Sequence, residues 1–248
     1  MGKRAALVTG ASSGIGFEIA GMLGEEGYEL TIASRRIERL EEAAEELRGR
    51  GVVVEAVAAN MAKEEDIAAL FDAHRERFGR LDVLVNNAGV SVPARIEEIE
   101  GRYVDLQMDV NLKAVVLGTR EGMSMLREAG AEHGKAMIVN TASISGKAGQ
   151  EVISIYGATK AALINFSQST HREVSTAGIG CTVLAPGHVA TPMTEPVQQH
   201  IPGAEMIQPA DLAEAVRFLL RTSRYCAVPE IVFMRPGEGI ETPYAVGF

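Results

Sequence analysis

Cysteine is scarce in this chain and isolated where it occurs. Among 248 residues there are only Cys181 and Cys226, neither in a CxxC or CxxH context. That spacing excludes a zinc ribbon, a thioredoxin-like redox pair and a disulfide framework, and leaves two buried free thiols as the expectation, with no metal site. Long apolar runs are also missing. No window approaches the 18 residues that a membrane-spanning helix needs. The apolar run Ala5–Val8 is too short for a signal peptide, and Ala6 stands where myristoylation would require Ser or Thr, so a cytoplasmic location is expected. Positive charge is in deficit, with 24 Lys and Arg against 33 Asp and Glu and a net charge of −9. A phosphate-backbone binder needs a basic stripe, so nucleic acid is not an expected partner. From Glu173 through Val216 there is no Lys or Arg at all. Repeats, low-complexity tracts and linker-like stretches are absent.

At 46% hydrophobic and 23% charged residues, the chain can bury one sizeable core. Short apolar runs alternate with amphipathic segments. The expected strands are Ala5–Val8, Tyr28–Ala33, Val52–Ala58, Leu81–Val85, Ala136–Asn140, Gly180–Leu184 and Glu230–Met234. The expected helices follow Gly16 and cover Arg36–Arg50, Lys63–Phe78, a long stretch from Ile96 to Ala129, Ile153–Thr176 and Ala210–Arg221. Strands separated by helices of this length imply right-handed crossovers. The expected architecture is therefore a single doubly wound α/β domain spanning residues 1–248, with a mostly parallel seven-stranded sheet covered by helices on both faces.

Between the first strand and the first helix lies Thr9-Gly10-Ala11-Ser12-Ser13-Gly14-Ile15-Gly16. Glycines there permit a tight turn and let backbone N–H groups approach a pyrophosphate, while the helix N-terminus favours its charge. The T-G-x-x-x-G-x-G spacing resembles that of the classical short-chain dehydrogenase/reductase family. Asn86-Asn87-Ala88-Gly89, Asn111, Ser143, Tyr156-x-x-x-Lys160 and Pro186-Gly187 with Val189 and Thr191 match that family's remaining motifs, in its order, from residue 5 to about 191. The resemblance implies a Rossmann-type fold and a nicotinamide coenzyme. It further implies that Asn87, Ala88 and Gly89 shape the adenosine side, and that Pro186, Gly187, Val189 and Thr191 hold the nicotinamide carboxamide. Asn111, Ser143, Tyr156 and Lys160 are implied as the catalytic set, with Asn111 holding a water between Lys160 and solvent.

Elementary chemistry agrees with those roles. Tyr156 and Lys160, four apart on a helix, share one face. A phenol near about pKa 10 is a poor acid–base group at neutral pH, and a neighbouring ammonium and a positive nicotinamide should lower it. Ser143, from the end of an adjoining strand, can donate to a substrate oxygen.

Coenzyme choice turns on the end of the second strand. An NAD-binding site places an acid there for the ribose hydroxyl; this chain has Ser34, then Arg35, Arg36 and, one turn on, Arg39. Cations at a helix start oppose its dipole, and a 2′-phosphate supplies the reason for them. NADP(H) is expected, with Arg35 the main contact and Ser34 and Arg36 beside it. Asn60, followed by Met61, stands where the family usually has an Asp facing the adenine amino group; its amide oxygen can accept the same bond. The family's glycine-rich C-terminal ending is replaced by Val228–Pro236 and a Gly-rich tail, which puts its tail contacts in doubt.

A short substrate lid is expected at about 192–208, with Pro196, Pro202 and Gly203 and without cations, so it offers an anion no partner. Met193, Met206 and Ile207 are candidates for an apolar pocket, and Arg95, Lys147 and His188 for contacts at its mouth. The leading expectation is an NADP(H)-dependent reductase acting on a carbonyl or secondary alcohol. Alternatives are a ketoacyl-thioester reductase, disfavoured by the acidic composition, and a non-catalytic NADP(H)-binding sensor. The apolar surface of the long helices, together with the resemblance, implies a homotetramer, with a dimer as fallback.

Overall fold

The computed structural model describes residues 4–240. Seven strands, β1 (Arg4–Thr9), β2 (Tyr28–Ser34), β3 (Val54–Ala58), β4 (Val83–Asn86), β5 (Ala136–Thr141), β6 (Ile179–Pro186) and β7 (Glu230–Phe233), form one sheet in the order β3-β2-β1-β4-β5-β6-β7. Every neighbouring pair is parallel. β1 shows why. Ala6 and Val8 enter the core on one face and Leu7 enters it on the other, so the strand is buried on both sides and reads as a continuous apolar run. On the first face lie α1 (Gly14–Glu25), α2 (Ile37–Gly49) and α7 (Pro209–Arg221), through residues such as Ile19, Leu23, Leu40, Leu47, Leu212 and Val216. On the second lie α3 (Glu64–Phe78) and α5 (Ala114–His133), through Ile67, Leu70, Phe71, Met125 and Leu126. α6 (Ser154–Val174) packs Leu163 and Ile164 against Val183 and Ala185 of β6.

Local chemistry fixes several ends. α3 begins with Glu64, Glu65 and Asp66, ends with Arg75 and Arg77, and is stopped by left-handed Gly79, matching its dipole at both ends. α7 has Pro209 in its first turn and a reciprocal cap between Gln208 and Asp211. His74 of α3 is buried; it receives the Thr31 hydroxyl on Nδ1 at 2.7 Å and faces the Arg80 carbonyl with Nε2 at 2.8 Å. Burial, opposed by the Arg80 carbonyl, brings its pKa down to about 4.

The expected long helix from Ile96 to Ala129 is not continuous. Residues 87–95 run irregularly, Ile96 is exposed, and α4 occupies only Gly101–Met108. A π turn, Asp109–Lys113, then inserts an extra residue before α5 begins. Apolar periodicity does not register such an insertion, which is drawn by tertiary bonds of Asn111. α5 also runs on to His133, where left-handed Gly134 ends it. Cys181 is buried as expected, whereas Cys226, expected buried, is exposed in the irregular connection from α7 to β7. Among the described residues no helix is long and apolar enough to cross a membrane. The Gly-rich tail beyond Ile240 lies outside the described residues.

Candidate active site

The strand order reverses between β1 and β4, each of which leads its chain to a different side of the sheet. Such a switch point opens a crevice beyond the carboxyl ends of the strands. Here the crevice is a cleft of about 240 Å³. Its floor is set by the turn after β1. Gly10 and Gly14 have φ of 68° and 58°, open to glycine and strained for other residues. A methyl at Gly16 would stand 2.5 Å from both the Gly10 oxygen and the Asn87 amide nitrogen, so nothing larger fits against the turn.

Asn87 braces this turn from the end of β4. Its Nδ2 donates to the carbonyls of Thr9 and Gly10 at 3.2 and 3.3 Å, and its Oδ1 accepts from the Thr141 hydroxyl at 3.2 Å. Thr9 Oγ1 accepts from the backbone N–H groups of Asn87 and Ala88, both at 3.1 Å. The bonds lock together the ends of β1, β4 and β5. Gly10, Ser13, Gly14, Ile15, Asn87, Ala88 and Gly89 line the cleft; Ser12 and Gly16 belong to the turn without facing it.

Ser143, Tyr156 and Lys160 stand together on the opposite wall. The Ser145 backbone N–H donates to Ser143 Oγ at 3.1 Å, and the Ser143 hydroxyl reaches Ser145 Oγ at 3.2 Å. Ser145 in turn donates to Gln150 Oε1 at 3.2 Å. Lys160, 3% exposed, donates to the Thr141 carbonyl at 2.7 Å with its Nζ 5.5 Å from the Tyr156 ring centre. Burial lowers the Lys160 pKa to about 8. Burial also raises the Tyr156 pKa, against an opposing hydrogen bond with Ser143. The expectation of a lowered phenol included a positive nicotinamide; in the chain by itself desolvation outweighs the Ser143 hydrogen bond. Four residues ahead of Tyr156, Val152 holds a φ of 58°, which strains a β-branched side chain, and its carbonyl accepts from the Ala94 N–H at 2.7 Å.

Asn111 does not line the cleft. Its amide is buried, donating to the Val90 carbonyl at 2.8 Å and to Thr159 Oγ1 at 3.1 Å and accepting from the Val90 N–H at 2.8 Å. A methyl on Gly89 would stand 3.4 Å from both Asn111 Oδ1 and Lys160 Nζ, so the two polar groups flank one small residue.

Pro186, Gly187, Val189 and Thr191 form the third wall, continued by Pro192, Met193 and Thr194. Ile207 packs into the core and Met206 is buried away from the cleft; of the three expected apolar residues only Met193 faces it. His188 points away, its Nδ1 3.0 Å from Glu238 Oε1. Lys147 is engaged with both oxygens of Glu230 at 2.7 and 2.9 Å, and Arg95 is exposed outside the cleft. Lys160 is thus the one cation lining the cleft among the described residues.

The remaining expected residues lie beside the cleft, at the ends of β2 and β3. Ser34 Oγ donates to the Arg36 carbonyl at 3.3 Å, next to the Ala33 carbonyl that accepts from Gly10. Arg35, Arg36 and Arg39 are exposed. Asn60 Oδ1 already accepts from the Ala62 N–H at 3.1 Å, and Met61 is buried. Sequence reasoning missed Thr141, Ser145, Gln150 and Glu238. Thr141 precedes Ser143 by two residues, and Ser145 and Gln150 follow it by two and seven, but none carries a spacing signal of its own.

The short chain dehydrogenase family pattern matches residues 4–202. An uncharacterized oxidoreductase of Staphylococcus aureus is 32% identical over 231 residues, covering 93% of this chain and 96% of that protein. The solved alcohol dehydrogenase of the archaeon Thermococcus sibiricus, complexed with 5-hydroxy-NADP, is 30% identical with a TM-score of 0.83, covering 94% of this chain and 96% of its own. A 3-ketoacyl-(acyl-carrier-protein) reductase from Brucella melitensis, complexed with NADH, is 31% identical with the same TM-score of 0.83, covering 92% and 96%. With the pattern running through the Gly-rich turn, the cleft and the loop beyond β6, the chain belongs to the short-chain dehydrogenase/reductase family of oxidoreductases.

Proposed function

We propose that this protein is an NADP(H)-dependent reductase that interconverts a neutral carbonyl compound and its secondary alcohol. The observation that carries this reading is the convergence of Ser143, Tyr156 and Lys160 on one cleft with the Gly-rich turn. The turn fits a dinucleotide, because Gly10, Gly14 and Gly16 leave a cradle that a Cβ would fill. When bound, the nicotinamide coenzyme supplies or takes up the hydride. The Ser143 hydroxyl, which accepts from the Ser145 N–H and reaches Ser145 Oγ and the Pro186 carbonyl in the chain by itself, would exchange those acceptors for the substrate oxygen. Tyr156, a phenol protonated at neutral pH, gives its proton to the same oxygen as the carbonyl is reduced and takes it back in oxidation. Lys160 would hold a ribose hydroxyl of the coenzyme and, by its charge, ease formation of the phenolate. Asn111 keeps the Val90 backbone and Thr159 in place behind Lys160.

Support for NADP(H) comes from Arg35, Arg36 and Arg39, exposed at the end of β2 and forming no ion pair with a described residue. Support for a neutral substrate comes from the cleft wall, whose cation Lys160 is already committed, and from a candidate lid at 192–208 that adds none. The likeness to a 3-ketoacyl-(acyl-carrier-protein) reductase favours a second reading, reduction of a ketoacyl thioester. A panel of neutral ketones, keto acids and ketoacyl thioesters, followed by NADPH absorbance, separates the two. Preference for thioesters or keto acids over matched neutral ketones would overturn the proposed substrate class, and no turnover on any carbonyl would leave the sensor reading.

A further inference from the structure

Glu238 is a buried acid for which the proposed chemistry has no use. It follows β7 in a turn closed on itself, with the Glu238 N–H donating to the Arg235 carbonyl at 3.0 Å and the Arg235 N–H to Glu238 Oε2 at 3.1 Å. Its side chain is fully buried. A buried carboxylate is expensive unless it is paired and hydrogen-bonded, and an apolar side chain would fill the same space at lower cost. Burial pushes its pKa up, but hydrogen bonds from His188 and the Arg235 N–H, with the charges of both residues, hold it below the ordinary carboxylate value.

Its surroundings are specific. Oε1 meets His188 Nδ1 at 3.0 Å. Oε2 presses on Gly187 so closely that a Cβ there would stand 2.6 Å away. Gly187 and Val189 face the cleft, so the carboxylate holds their loop from behind. The same loop is tied to β7 by Gly187 N–H to the Phe233 carbonyl at 2.9 Å, and to the return of the candidate lid by Ile207 N–H to the His188 carbonyl at 3.0 Å. Arg235 completes the link, its Nε donating to the Glu205 carbonyl at 2.7 Å. The charged groups around Glu238 are therefore His188, Arg235 and, beyond Arg235, Glu205 at 4.0 Å.

We propose that Glu238 is a positioning residue of the hydride-transfer site: through Gly187 and His188 it fixes the loop that receives the nicotinamide end of the coenzyme, and through its turn with Arg235 it ties that loop to the far end of the lid. The proposal deepens the coenzyme reading given above and rests on it. It predicts a selective defect. The adenine half of the coenzyme binds at the Gly-rich turn and the end of β2, which Glu238 does not touch; only the nicotinamide half meets the loop it holds.

The test is equilibrium titration of the full chain with NADPH and with 2′-phospho-ADP-ribose, which lacks the nicotinamide, together with steady-state kinetics. Glu238→Ala should weaken NADPH by roughly tenfold, the loss of one charged hydrogen bond at the loop, and leave 2′-phospho-ADP-ribose unchanged. Its kcat should fall more than its carbonyl KM rises, since misplacement of the reacting groups is what is introduced. Glu238→Gln keeps the shape and serves should the alanine variant not fold. His188→Asn, whose amide nitrogen reaches the position of Nδ1, should stay close to the parent, whereas His188→Ala should match Glu238→Ala without adding to it. Equal weakening of both ligands, no change in either, or additive effects of the two alanine variants would overturn the proposal. A parent chain that binds neither ligand would overturn the coenzyme reading itself, a result visible before any variant is made.

Discussion

The ammonium of Lys160 and the carbonyl of Thr141 are joined at 2.7 Å, so a side chain of α6 is fastened to the last residue of β5 inside the cleft wall. The bond favours the charged form, but burial without a carboxylate partner outweighs it and lowers the pKa to about 8. Below that value the folded state bears the full cost of the buried charge. Between about 8 and the ordinary value of 10.5 the unfolded chain binds the extra proton, so stability rises with pH. Compared with a Lys160→Met variant, the parent should therefore gain up to about 3 kcal/mol across that window. Parallel denaturation midpoints of the two proteins from pH 7.5 to 10.5 would refute this.

Replacing Tyr156 by Phe removes the proton donor and leaves the ring. Turnover should drop by roughly 10²–10⁴, the usual worth of a positioned acid, while NADPH titration stays near that of the parent. Near-normal turnover on any substrate the parent reduces would show that another group moves the proton.

Arg35 should govern coenzyme choice. A hydrogen bond to a charged group contributes about 1.5–3 kcal/mol, so Arg35→Ala should weaken NADPH by roughly ten- to a hundredfold and scarcely alter NADH. Ser34→Asp should go further, repelling the phosphate and offering a carboxylate to the ribose. Titration of parent and variants with both coenzymes decides it; an indifferent Arg35 variant or a parent with equal affinities sinks the assignment.

His74 should make the fold acid-sensitive. Its bonds with Thr31 and Arg80 suit the neutral Nε2–H form, and its pKa lies at about 4 against an ordinary 6.5. As pH falls through 6.5 the unfolded chain takes up a proton that the folded chain refuses, until about pH 4. The accumulated loss is about 3 kcal/mol. Urea denaturation at pH 7 and 4.5 should show a steeper loss for the parent than for His74→Phe, and equal slopes would exclude His74 as the cause.

Two separate apolar surfaces favour a homotetramer with two-fold axes. Met108 and Val116 are exposed on α4 and α5, and Phe218, at 55% exposure, on α7, which lies on the opposite face of the sheet from α5. Light scattering should report four copies, and Phe218→Glu should leave a dimer. A 26.4 kDa species at micromolar concentration would end the expectation.

Fold and motifs were legible at different depths. Alternating apolar runs and helix-length segments gave every strand to within a few residues: the inner parallel strands, buried on both faces, are largely apolar, and the half-buried edge strands β3 and β7 keep a short apolar run. The Ile96–Ala129 stretch failed because periodicity cannot see the π turn at Asn111, where bonds to Val90 override local preference. Glycine spacing marked the turn because only a residue without a side chain fits there. Glu238 was invisible: a lone acid in a Gly-rich tail reads as a solvated charge until the fold buries it against Gly187.

By itself, then, the sequence determined the doubly wound sheet, the Gly-rich turn and the i,i+4 pairing of Tyr156 with Lys160, since each follows from short-range geometry. Only the tertiary structure decided that Tyr156 is buried beside Ser143, that Lys160 answers to Thr141, and that His188 faces Glu238 instead of the cleft. Those outcomes depend on how much water each group loses and on partners distant along the chain, and desolvation is a property of packed neighbours that no local pattern encodes.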